Sequence, residues 1–183
     1  MFNIENISQI EIGYLVGLFL GDGYSYQDKT KCYHVEFFLN SRRDNDIKNY
    51  LLILLKKASL NPILLKDKRC NCIRIRVNSK DFYKFLRSYK NLLNNIDFKC
   101  GFISGLIDAD GYVNFQKSFI TIKNTKKQLL NLVKKSLKTM NINSTLSKKR
   151  KTNKNWSEIY ELYISTKILN INNNSIKFNR IAR

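Results

Sequence analysis

All seven glycines of this 183-residue chain fall in two short windows: Gly13, Gly17, Gly21 and Gly23 in one, Gly101, Gly105 and Gly111 in the other. Shifted by 88 positions the windows superpose, Gly13 on Gly101, Gly17 on Gly105, Gly21 on Ala109, Asp22 on Asp110, Gly23 on Gly111 and Tyr24 on Tyr112. A constant offset of this kind marks two copies of one unit. Within each copy small residues recur every four positions, which on a helix makes one smooth stripe. Glycine inside a helix costs about 1 kcal/mol relative to alanine, so the stripe needs a packing reason, and the close crossing of two helices supplies it. Leu15, Leu18, Phe19 and Leu20 flank one stripe and Ile103, Leu106 and Ile107 the other, anchoring each helix in its own half. Gly23 and Gly111 then stand just past the helix ends, where a positive φ is expected.

A helix-helix interface alone accounts for the small residues. It does not account for Asp22 and Asp110. Each sits at the C-terminal end of its helix, where the dipole disfavours a carboxylate, and the crossing brings the two together. Like charges so placed call for a cation, and their hard oxygens suit a divalent metal such as magnesium.

The charge balance names the partner. Thirty-three Lys and Arg against 14 Asp and Glu leave a net charge of +19, while 43% apolar residues are enough for a real core. A folded, strongly cationic chain fits a polyanion, with nucleic acid ahead of an anionic membrane. The longest apolar run considered, Leu51 to Leu55, is far short of the ~20 residues of a membrane span, and no secretory signal is read at the start, so an intracellular location is expected, prokaryotic cytoplasm or organelle. Cys32, Cys70, Cys72 and Cys100 with the single His34 lack zinc-knuckle spacing and are expected to be reduced, mostly buried thiols. With one histidine, nucleophilic catalysis by a Ser-His or Cys-His pair is disfavoured.

The segments Leu15-Val16-Gly17-Leu18-Phe19-Leu20-Gly21-Asp22-Gly23 and Ile103-Ser104-Gly105-Leu106-Ile107-Asp108-Ala109-Asp110-Gly111 resemble the LAGLIDADG motif of homing endonucleases, and two motifs in one chain resemble the compact monomeric members. The resemblance implies an α+β fold of two pseudo-symmetric αββαββα halves, residues 1–97 and 98–183. Their motif helices pack at the centre, and their antiparallel sheets form a saddle over duplex DNA. It implies a staggered double-strand break made by metal-dependent phosphodiester hydrolysis. Asp22 and Asp110 are the metal ligands, with the main-chain carbonyls of Gly21 and Ala109 as helpers. Mg2+ is the expected cofactor, with Mn2+ substituting and Ca2+ supporting binding without cleavage. Double-stranded DNA is the expected partner, the intron RNA that encodes such proteins a second one, and a monomer the expected state. Asp108 has no acidic mate, since Leu20 takes its place in the first motif, and no catalytic role is assigned to it.

The intervening sequence agrees with that architecture on its own terms. Tyr33 to Leu39 reads as part of a hairpin, and Asp44 to Ala58 as a helix with Asp44 as N-cap, closed by Pro62. Ile73 to Asn78 alternates as a strand with Arg74, Arg76 and Asn78 on one face, and Lys80 to Leu93 reads as a helix. In the second half the pattern predicts strands near Tyr112 to Gln116, Phe119 to Lys123, Ser144 to Lys148 and Ser157 to Ser165. A helix over Lys126 to Met140 falls among them, and a last one near Thr166 to Ile171. Aligning Ala58 on Met140 gives an offset of 82, which places a longer hairpin between the first two strands of the first half and pairs Ser41 and Arg42 with Lys123 and Asn124.

Sequence reading of duplex DNA requires side chains projecting from the sheets into the major groove. Arg74, Arg76 and Asn78 are the expected readers of the first half and Thr121, with Lys123, of the second. Tyr26, Lys29 and Lys31, and Lys148, Lys149, Arg150, Lys151 and Lys154, are expected at flanking bases and phosphates. Family members commonly place a glutamine near the attacking water. Arg42, Lys123 and Asn124 are the candidates for that water network here, without the glutamine. Two alternatives use the same scaffold: an RNA maturase and a DNA-binding protein that does not cut. An intein origin is not expected, and the Lys, Asn and Ile bias points to an AT-rich genome.

Overall fold

A computed structural model of the chain describes residues 2–67, 71–114, 116–149 and 157–165. The first half runs α1 (Gln9–Asp22), β1 (Gly23–Gln27), β2 (Tyr33–Asn40), α2 (Asn45–Lys57), β3 (Ile63–Asp67), β4 (Cys72–Asn78) and α3 (Lys80–Ser88), the last followed by a 3-10 turn at Tyr89–Asn94. The second half repeats it as α4 (Ile96–Asp110), β5 (Gly111–Asn114), β6 (Phe119–Asn124), α5 (Lys127–Thr139), β7 (Ser144–Lys148) and β8 (Tyr160–Ser165). The final helix expected near Thr166 lies outside the described residues, as do Cys70, Arg150, Lys151 and Lys154.

Three of the helix starts are capped by side chains. Ser8 and Glu11 form a capping box on α1, with Ser8 Oγ accepting from Glu11 N–H at 3.3 Å and Glu11 Oε2 from Ser8 N–H at 2.8 Å. Ser79 Oγ caps α3 by accepting from Phe82 N–H at 3.2 Å, and Asn95 Oδ1 caps α4 by accepting from Phe98 N–H at 3.0 Å. Asp44 stands at the N-cap of α2 but makes no capping bond; its carboxylate accepts instead from Asn40 N–H at 2.9 Å. Helices α2 and α5 end alike, on Ser59 and Asn141, each at φ 58°, with Leu60 N–H donating to Leu55 O and Ile142 N–H to Leu137 O.

The glycine stripes do what their spacing requires. A Cβ on Gly17 would lie 2.0 Å from Phe102 O and one on Gly105 2.2 Å from Tyr14 O, with Gly13 and Gly101 as close to Phe98 O and Ile10 O. Helices α1 and α4 therefore touch backbone to backbone, at a distance no side chain permits. Gly23 and Gly111 depart from the expectation of positive φ: they lie at −106° and −86°, extended, as the first residues of β1 and β5. Glycine is needed there because a Cβ would fall 2.4 Å from Phe19 O and 2.5 Å from Ile107 O, against the last turn of the residue's own helix.

The two sheets are antiparallel throughout and share one topology, β1-β2-β4-β3 and β5-β6-β8-β7. Val35, Phe37, Ile75 and Val77 of the first sheet and Ile120, Ile122, Leu162 and Ile164 of the second are buried on the helix side. Each such side chain contributes about 1.5–3 kcal/mol relative to leaving it exposed. The opposite faces are left open. Registers Gly23↔Phe37 and Gly111↔Ile122 divide the six-residue length difference between the halves: three residues lie in the first hairpin and three in the turn from β2 to α2. The pairing of Ser41 and Arg42 with Lys123 and Asn124 is corrected accordingly. Lys123 corresponds to Phe38 and Asn124 to Leu39. The thiols are also less buried than expected, Cys32 being exposed and Cys72 and Cys100 half-buried.

Candidate active site and nucleic-acid interface

The last residues of α1 and α4 meet where the two helices end. A Cβ on Gly21 would lie 2.3 Å from Ala109 Cβ and 3.1 Å from Asp110 Oδ2, so the Asp110 carboxylate lies against the residue preceding Asp22. Both aspartates are half-buried, and neither helix carries a basic residue in its last turn. The negative ends of two helix dipoles thus meet, with the Asp110 carboxylate beside the end of α1 and Asp22 as the last residue of that helix. Asn124, at the end of β6, donates from Nδ2 to Asp110 Oδ2 at 2.6 Å. Of the other residues expected around the water, Arg42 is exposed in the β2-α2 turn. Lys123, 56% exposed, lies on the open face with Nζ 3.5 Å from Glu161 Oε1. Asp108 is 1% exposed and accepts from Tyr14 Oη at 2.7 Å across the helix crossing, a structural role.

The donor chemistry at the crossing is all hard oxygen: two carboxylates and the carbonyls of Gly21 and Ala109. Among the described residues no group of three or more His, Cys, Asp or Glu side chains could cage a metal. A pair of carboxylates fits a small divalent cation that keeps part of its water shell, as magnesium does, rather than a fully protein-bound structural ion.

The open faces form the second part of the site. On the first sheet β1 contributes Tyr24 and Tyr26, whose rings stack at 5.6 Å, and Tyr26 lies 4.8 Å from the His34 ring. Arg74 and Arg76 project from β4 and stay partly exposed. Asn78 is exposed, with its Oδ1 2.8 Å from His34 Nδ1. On the other side of the ring, His34 Nε2 is 2.9 Å from Asp28 Oδ2. The His34 ring, followed by Thr30 and the backbone of Cys32 and Thr30, holds the Asp28 carboxyl far below the usual carboxylate range. Lys29 and Lys31 stand exposed in the turn that this carboxylate organises.

The second open face is more aromatic than basic. Thr121 belongs to it but is 6% exposed, flanked by Tyr112 on β5 and Tyr163 on β8, both well exposed. Lys148 pairs with Glu158, and Lys149 with Glu161 at 2.6 Å. The sequence reading missed two acids here, Glu36 and Glu161, each set among basic side chains on an open face. A lone acid among mostly apolar strand residues was the one sequence signal for Glu36, and its pairing with Arg76 depends on cross-strand register.

Two crossed glycine helices ending in paired aspartates, each feeding a four-stranded antiparallel sheet, define the LAGLIDADG class of fold. Residues 97–176 match the family described as a LAGLIDADG-like domain, and residues 12–96 match the WhiA LAGLIDADG-like domain. The chain thus carries two LAGLIDADG-like domains, one in each half. No curated protein matches it. Among solved structures it is similar to I-DmoI in complex with DNA and Ca, at 21% identity and a TM-score of 0.73, over 95% of this chain and 97% of that one. It is also similar to full-length DUF199/WhiA from Thermatoga maritima, at 22% identity and a TM-score of 0.66, over 96% of this chain and 60% of that one. The N-terminal LAGLIDADG domain of DUF199/WhiA gives 21% identity and a TM-score of 0.64, over 97% of this chain and 90% of that one. At these identities the likeness establishes the fold. Among the described residues no helix is long and apolar enough to cross a membrane.

Proposed function

We propose that the chain is a site-specific endonuclease that makes a staggered break in a long duplex, its halves 1–97 and 98–183 each taking one half-site. The observation that carries this reading is the convergence of Asp22 and Asp110 at the ends of two helices held in backbone contact, with no basic residue in either last turn. A protein that only bound DNA would gain nothing from gathering negative charge at the middle of a cationic surface facing phosphates.

Asp22 and Asp110, helped by the carbonyls of Gly21 and Ala109, would hold magnesium. Bound there, the metal supplies charge stabilisation on the phosphoryl oxygens and an activated water. Asn124 fixes the Asp110 carboxylate by donating to one oxygen. The net charge of +19 draws in the duplex and makes binding fall steeply with salt. Arg74, Arg76 and Asn78 read bases in one half-site. Arg42, Lys123 and the lysines of the hairpin tips serve the phosphates nearby. I-DmoI, a homing endonuclease by description, has been solved with DNA in the presence of Ca and of Mn, which supports a divalent ion at this kind of helix pair.

A second reading, a DNA-binding protein that keeps the scaffold without cutting, is favoured by the match of the first half to the WhiA domain. Selecting bound duplexes from a randomised library in calcium and then supplying magnesium separates the two. Staggered cleavage of the selected DNA supports the endonuclease, and tight binding to DNA that stays intact in magnesium and manganese supports the second reading.

A further inference from the structure

The open face of the first sheet holds an acid that the function above leaves unused. Glu36 lies in the middle of β2, opposite Tyr24 on one neighbouring strand and Arg76 on the other. It belongs to the face turned away from the helices and is nonetheless 2% exposed. Its Oε1 accepts from Arg76 Nε at 2.6 Å, and its Oε2 is 3.6 Å from Arg74 Nη1. Among the described residues Glu36 is the one ion-pair partner of Arg76, whose side chain keeps 25% of its surface exposed.

A buried carboxylate on a surface meant for phosphates opposes binding as a charge, so its value has to lie elsewhere. Its geometry supplies that value. Arg76 spends Nε on Glu36, which fixes the plane of the guanidinium and leaves the two terminal nitrogens as a fork. Such a fork matches O6 and N7 of guanine in the major groove. A freely rotating arginine at the same position would settle on any phosphate within reach and carry no sequence information.

We infer that Glu36 is a positioning residue that presents Arg76 for guanine recognition, with Arg74, held more loosely by the same carboxylate, beside it. The inference rests on the duplex-DNA reading above. Among the described residues the second half has no counterpart of this arrangement. Strand register puts Thr121 where Glu36 stands and Tyr163 where Arg76 stands. The acid of the second face, Glu161, lies one row away and pairs with Lys123 and Lys149, which have no fork.

The test is selection from a randomised duplex library in calcium, with sequencing of the bound pool, for the wild-type chain, Glu36→Gln and Arg76→Lys. Wild type should enrich guanine at a base pair where Arg76→Lys loses roughly ten-fold or more of the preference. Glu36→Gln should lose it at the same base pair while its affinity for random-sequence duplex holds or rises, one negative charge having gone. A residue needed only for folding would instead weaken binding to every sequence alike and keep the guanine preference. Glu36→Asp, which keeps the charge and shortens its reach, should lose the same base pair and stands in if Glu36→Gln does not fold. If Glu36→Gln keeps the wild-type preference at the base pair that Arg76→Lys loses, the inference is overturned and the duplex reading survives. If the wild-type chain enriches no sequence, both fall.

Discussion

Asn124 donates from its Nδ2 to Asp110 Oδ2 at 2.6 Å, tying the end of β6 to the last residue of α4. The matched position of the first half, by strand register, is Leu39, which is 2% exposed and packed in the core. The two motif carboxylates therefore stand in different surroundings within a pseudo-symmetric frame.

That asymmetry predicts unequal cutting. Asn124→Ala should slow the strand served by Asp110 by about 10–100-fold, the usual cost of removing a group that orients a metal ligand. On supercoiled plasmid carrying a selected site, nicked circles should accumulate ahead of linear DNA. Linear product appearing without a nicked phase would contradict the prediction.

The helix crossing makes a stability prediction. Gly17→Ala or Gly105→Ala would drive a Cβ to about 2 Å from a carbonyl oxygen of the partner helix, where backbone rather than a flexible side chain must yield. Each should cost roughly 2–4 kcal/mol despite the better helix propensity of alanine. Urea denaturation reads this directly, and a loss under 1 kcal/mol would mean the helices separate freely.

How much of this was legible in the sequence follows from which features repeat. The α1-α4 crossing was legible because each glycine marks a backbone contact, and β4 and β7 because alternation and turn residues bound them. β3 left little trace: Ile63 and Leu64 are consecutive, and both are well exposed on an edge strand, so neither period governs them. The distribution of the extra six residues was invisible because a helix-to-helix offset sums the hairpin and the turn. Within the site, Asp22 and Asp110 stood out through the repeat, whereas the partners of Arg76 and Asn78 depend on cross-strand register. Glu36 and His34 are each a single residue, and nothing in one sequence gives that register.

Asp108 supports a third prediction. Tyr14 is fully buried and its hydroxyl donates to the Asp108 carboxylate at 2.7 Å, joining the halves. Tyr14→Phe should lower stability by about 1–3 kcal/mol, the cost of removing a donor from a buried acceptor. Cleavage at a temperature where the variant is folded should stay near wild type. Loss of activity in a fully folded Tyr14→Phe chain would give Asp108 a role in the chemistry.

Glu11 supplies a pH dependence. Burial alone would raise its carboxyl, but Lys57, with Nζ 2.6 Å away, and the Ser8 backbone and hydroxyl hold it below its ordinary 4.5. A carboxylate depressed on folding contributes stability that is present above its unfolded pKa and lost as pH falls through its folded one. The wild type should exceed Glu11→Gln at neutral pH by about 0.3–1 kcal/mol, the worth of a carboxylate's charge near a helix N-terminus, since glutamine keeps the hydrogen bond of the capping box. The gap should close as pH drops below about 4. Melting temperatures of the two proteins from pH 7 to 3 check it, and a gap that does not change with pH would contradict it.

The division of labour in the proposed reaction gives Asp22 one strand of the duplex and Asp110 the other. Its most direct measurement is strand-resolved cleavage of a selected duplex, labelled at both 5′ ends, by wild type, Asp22→Asn and Asp110→Asn in magnesium. Wild type should make a staggered double-strand break and the single variants should lose cutting, any residual nicking by the two falling on opposite strands. Full double-strand cleavage by either folded single variant would contradict it.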